Sequence, residues 1–136
     1  MPGNLSNYLE NKLIDHFLGT TTFTKPTTVY VALFTGSSLT DSSTGSAPSP
    51  ATEVSGGSYA RQSATFSAAS SGATTNDSNI DFASMPACIV TGIAIVDSGT
   101  SGAGNILVYG TLTTSKTLDA GDTLRISSGD LSISID

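Results

Sequence analysis

A site for acid–base or nucleophilic work needs a group that titrates near neutrality and a partner that orients it, and the chain offers one histidine, His16. His16 stands beside Asp15 and Phe17 near the end of an amphipathic segment, where the helix dipole alone favours it. No second residue presents itself as its partner, so no catalytic residue is assigned. Asp97, Asp119, Asp122 and Asp130 all fall at turns, where aspartates accept hydrogen bonds from nearby backbone N–H groups. Their spacing does not match a loop that converges oxygens on Ca²⁺. With no tryptophan and few aromatics to hold a sugar, glycosidase action by paired carboxylates is disfavoured. The run Gly99 to Gly104 lacks the lysine of a phosphate-binding loop and leads into a strand. Cys88 is the single cysteine, which excludes an internal disulfide and a cysteine-based metal site; within its apolar run it reads as an inert thiol. The expectation is a protein that is not an enzyme, holds no cofactor or metal, and acts by binding.

The bulk composition points the same way. A chain of 136 residues is the size of one domain, 1–136, with a single core. It is 38% hydrophobic and only 12% charged, leaving a surface of Ser, Thr, Gly and Ala suited to lasting contact with other protein. The formal charge of −6, with Lys12, Lys25, Arg61, Lys116 and Arg125 scattered singly, argues against nucleic acid and anionic lipid. No apolar run is long enough for a membrane helix and no signal peptide is visible, so synthesis in the host cytoplasm is expected.

Residues 4–18 read as the one helix. Leu5, Leu9, Leu13 and Phe17 recur every four residues, Asn4 or Asn7 can cap the start, and Gly19 supplies the stop. About 15 residues are too few for stability alone, so this stripe must dock, either on its own sheet or into a neighbouring subunit. From 28 to 136 the pattern is β. Val29 to Thr35 is apolar on both faces, as is Ile93 to Val96, which makes these two segments natural central partners. Further strands are read at 59–66, 80–83, 105–113, 123–127 and 131–135, the last alternating Leu131, Ile133 and Ile135 against Ser132 and Ser134. The last third reads as a meander. Seven to eight strands with Gly- and Ser-rich turns predict a mainly β fold, an antiparallel β-sandwich or jelly roll with an N-terminal amphipathic helix.

Two stretches, 36–51 and 67–79, have almost nothing to bury and read as long surface loops. Candidate partner contacts are therefore Leu39, Asp41, Pro48 and Pro50 in the first loop, together with Tyr59 and Arg61 beyond the Gly56-Gly57 turn. Glu53 and Arg61 flank that turn and can pair across it, an interaction worth under about 1 kcal/mol if exposed.

Five blocks occur in order: Leu5 to His16, Val29 to Phe34, Glu53 to Arg61, Gly121-Asp122-Thr123 and Gly129-Asp130-Leu131. Together they resemble the small virion proteins of tailed bacteriophages usually labelled tail fibre protein. The resemblance covers nearly the whole chain outside the two loops and implies a phage structural protein in the virion, with no catalytic motif to carry over. A fibre shaft needs heptads, Gly-X-Y or repeated β segments, and none is present. A compact β domain with a dockable helix suits a capsid cement or decoration protein that binds the major capsid protein at the head exterior and stabilises it. A homo-oligomer, possibly a trimer, is expected. The alternative is a tail fibre or tail-associated component that binds tail proteins and contributes to host attachment; a glycan-binding surface module is a weaker third reading.

Overall fold

A computed structural model describes residues 3–135 and is mainly β, with antiparallel sheets and one helix near the N-terminus. The centre is a sheet built on β2 (Val29–Gly36) and β7 (Cys88–Val96), paired antiparallel with Ala32 opposite Ala94 and Leu33 opposite Ile93. On the far side of β7 runs β8 (Ile106–Leu118), whose outer edge is extended by β1 (Gly3–Leu5). The opposite edge is made by β3 (Ala51–Glu53) and β4 (Gln62–Ala64), both paired with β2. Two ribbons complete the fold: β6 (Ile80–Phe82) with β9 (Leu124–Ile126), and β5 (Ala73–Thr75) with β10 (Ser132–Ser134).

The two apolar faces of β2 and β7 have separate covers. Val31, Leu33, Ile93 and Ile95 join Ile80, Phe82, Met85 and Leu131 in the larger cluster, under the two ribbons. Ala32, Phe34, Ala94 and Val96 meet Leu39, Ala51, Ile106 and Tyr109 on the other face. That second cover comes from the 36–51 stretch, which therefore does bury side chains: Leu39 is 6% exposed.

Three sequence expectations change. The last third is a meander only as far as β7–β8, because β9 and β10 leave to pair with β6 and β5. The 67–79 loop contains β5, recruited when the alternating Ser132–Ser134 segment needed a partner for its backbone groups. The 105–113 strand runs on to Leu118, but Val90 pairs with Lys116 and Gly92 with Thr111, so four residues of β8 oppose Thr91 alone. This wide bulge pushes Leu112 to Ser115 out of the ladder.

The helix, α1 (Asn7–Phe17), begins three residues later than its periodicity suggests. Gly3 to Leu5 satisfy their backbone groups against Val108 to Gly110 instead, so Leu5 lies in a strand and not on the helical stripe. Ser6 makes the switch between the two. It is fully buried, its Oγ accepts the Leu9 N–H at 3.3 Å, and the same hydroxyl donates to the Ile106 carbonyl. Ser6→Ala removes the cap and orphans that carbonyl, and is expected to cost about 2 kcal/mol in urea unfolding. A loss below about 0.5 kcal/mol would show that the cap is dispensable. At the other end Leu18 and Gly19 close the last turn on Ile14 and Asp15, and a Cβ at Gly19 would stand 3.0 Å from the Asp15 carbonyl oxygen.

Candidate functional site

The most elaborately bonded side chain is Arg61, just before β4. Its Nε and Nη2 bind the two oxygens of Glu53 at 2.8 and 2.9 Å, Nη1 donates to the carbonyls of Ser98 and Ala103 at 2.8 Å each, and Nη2 also reaches the Gly45 carbonyl at 3.2 Å. The planar fork of a guanidinium is the one side chain that can serve a carboxylate and three backbone oxygens together. It thereby ties the 36–51 loop and the 97–104 hairpin tip to the end of the main sheet. The Glu53–Arg61 pair anticipated across the turn does form, but it is not exposed: the arginine side chain is 0% and the glutamate 9% accessible.

The clasp has a second layer. Tyr59 donates to Glu53 Oε1 at 2.9 Å and accepts the Leu33 N–H at 3.0 Å, and its ring stacks on Phe82 with centroids 6.0 Å apart. Burial, more than any charge nearby, pushes the Tyr59 phenol far above its usual range. A raised phenol contributes its full stability below the unfolded-state value of 10.0 and loses it as pH rises towards the folded-state value. Stability is therefore expected to fall above pH 10, and Tyr59→Phe is expected to reduce that alkaline slope; parallel urea titrations of the two proteins check this. The loops also pack tightly on each other, since a Cβ at Gly45 would collide with the Ala103 carbonyl oxygen.

The proposed contact residues divide by exposure. Asp41 and Pro50 are exposed, Pro48 and Tyr59 are half-buried, and Leu39 and Arg61 are buried. Leu39 and Arg61 are therefore removed from the candidate surface, one by the core and the other by the clasp. Tyr59 is turned inward by its hydrogen bonds. Asp41 is accessible, yet its carboxylate accepts the Tyr109 hydroxyl and its carbonyl accepts the Asn7 N–H at 2.9 Å, anchoring the loop to the start of α1. Of the helical stripe, Leu9 and Leu13 are half-buried, with Leu9 and Tyr8 packing on the core; Phe17 is 73% exposed. The N-terminal half of the helix thus docks on its own sheet and the C-terminal half does not.

Several other titratable groups have local tasks. His16 Nδ1 accepts the Phe23 N–H at 3.1 Å. Asp97 accepts from the Asn105 backbone and side chain, and Asp122 accepts the Asp119 N–H. Arg125 holds the exposed Asp81 carboxyl below its usual value through a two-pronged contact. Among the described residues no three of His, Cys, Asp and Glu gather as metal ligands would.

The surface so assembled is a set of clasped, weakly charged loops at one end, and an exposed helix end with Ile14, Phe17 and Leu18 elsewhere. A comparison with curated proteins returns no match. A family model described as podophage GP4 fiber I protein gp80 matches residues 4–134, which takes in nearly every element described above. The chain belongs to this family of podophage fibre proteins and is a structural protein of a phage virion.

Proposed function

We propose that the chain is a globular module of a tail fibre, held in the virion by other tail proteins and by copies of itself, and contributing to host attachment without covalent chemistry. The single observation that carries this reading is the fibre-protein family match across residues 4–134. The fold is consistent with it. A domain without shaft repeats serves as a knob or joint within a larger fibre. The Arg61 clasp suits such a part, because loops fixed to the sheet lose little conformational entropy when they meet a partner.

The competing reading is a capsid cement protein bound to the major capsid protein. Gold-labelled antibody against this chain on intact virions, combined with its stoichiometry in purified particles, separates the two. Label at the tail in a small multiple of the tail's symmetry is the expected result. Label over the head, in proportion to the major capsid protein, would replace the fibre reading with the cement one.

A further inference from the structure

The helix end and the β8 bulge form a complementary pair of surfaces. Ile14, Phe17 and Leu18 are 58%, 73% and 84% exposed and lie three and four residues apart, so they form one apolar knob with the exposed Asp15 beside it. Between the bulge of β8 and β9 lies an open groove of about 300 Å³ whose walls include Leu33, Val90, Ile93, Leu112 and Ile126. A second hollow of about 270 Å³ shares the Ile93, Leu112 and Ile126 walls and extends it towards Leu131. Thr113, Thr114, Lys116 and Arg125 are the exposed lining residues of the first hollow and so form its mouth, with Asp130 exposed at the second. Arg125 is taken by Asp81, while neither Lys116 at the groove mouth nor Asp15 beside the knob belongs to a described ion pair.

Size and charge both match. A cavity of about 150 Å³ lined by aliphatic side chains takes up benzene, so this groove has room for the Phe17 ring and an aliphatic neighbour. The knob lines neither hollow of its own chain. We propose that copies of this chain join head to tail, the Ile14–Phe17–Leu18 knob of one entering the β8–β9 groove of the next, with Asp15 facing the neighbour's Lys116. The two surfaces differ, so the contact is heterologous and repeats: it closes into a ring or propagates along an axis according to the rotation between copies. The occupant is a second copy because one chain carries both an apolar knob flanked by Asp15 and an apolar groove with Lys116 at its mouth. The inference is independent of where in the virion the protein sits.

Sedimentation of the purified full chain tests it. The wild type is expected to show a mass that rises with concentration. Phe17→Asp and Thr113→Glu change exposed residues at the knob and the groove mouth, and each is expected to weaken association about tenfold or more while the circular dichroism and melting temperature hold. Mixing these two variants is decisive. The first keeps a working groove and the second a working knob, so the mixture is expected to form a one-to-one pair that neither makes alone. Lys116→Glu is expected to weaken association and Asp15→Lys in the same chain to restore it. A wild type that stays monomeric up to its solubility limit overturns the proposal, as does association unaffected by the variants. Variants that fail alone and also fail when mixed point to a self-complementary patch and overturn it too.

Discussion

Arg61→Met is expected to destabilise the protein by about 3–5 kcal/mol, the cost of leaving a buried carboxylate without its counter-ion. The reasoning starts from the geometry of the clasp. Methionine fills most of the space but returns none of the five hydrogen bonds, so Glu53 and the carbonyls of Gly45, Ser98 and Ala103 all lose a donor where water is excluded. Lysine keeps the charge but not the fork, so Arg61→Lys is expected to fall between methionine and wild type. Removing both charges in Arg61→Met with Glu53→Gln is expected to recover part of the loss, because the glutamine amide is neutral. Urea midpoints measure all four proteins, and amide exchange at Gly45 and Ala103 reads the loops directly, since their N–H groups bond to Gly104 and Thr100 within the clasped region. An unfolding free energy for Arg61→Met within about 1 kcal/mol of wild type would falsify the clasp as the element that fixes the loops.

Phe82→Ala is the second large effect, at about 3–5 kcal/mol. Phe82 is 1% exposed on β6, with Tyr59 stacked against it and the larger core cluster around it. Alanine leaves a cavity on the floor of the ribbon layer and removes the surface that holds the Tyr59 ring over Glu53. The loss is therefore expected to couple to the clasp: Phe82→Ala and Tyr59→Phe together should cost less than the sum of the two alone. Additivity within about 0.3 kcal/mol in denaturant unfolding would show that core and clasp are independent.

Much of this arrangement is legible in the residues. The β-branched and aromatic composition of Val29–Phe34 and Ile93–Val96, apolar on both faces, identifies the central pair, because a strand with no polar face must be covered twice. Glu53 and Arg61 around a Gly-Gly turn announce an ion pair, though not its depth. The Leu5–Phe17 stripe announces a helix, though not that its first turn would be surrendered to a strand. Leu39 in a Ser- and Thr-rich stretch carries a faint signal that the loop folds back, one apolar side chain among residues with nothing to bury.

The remainder was decided by contacts between distant parts of the chain. Ser6 caps the helix and bonds to Ile106, one hundred residues away, and only that meeting tells a helix start from a strand end. Arg61 looks like any exposed arginine until Ser98, Ala103 and Gly45 bring three carbonyls to it. Strand composition is a local property, set by the side chains that each face will bury, so the amino-acid order alone determined the two doubly covered strands and their place at the centre, but not β1 or β5. Burial of a charge, the pairing of β5 with β10 and the hollow behind the β8 bulge depend on loop closure over long separations, and those the folded chain alone could decide.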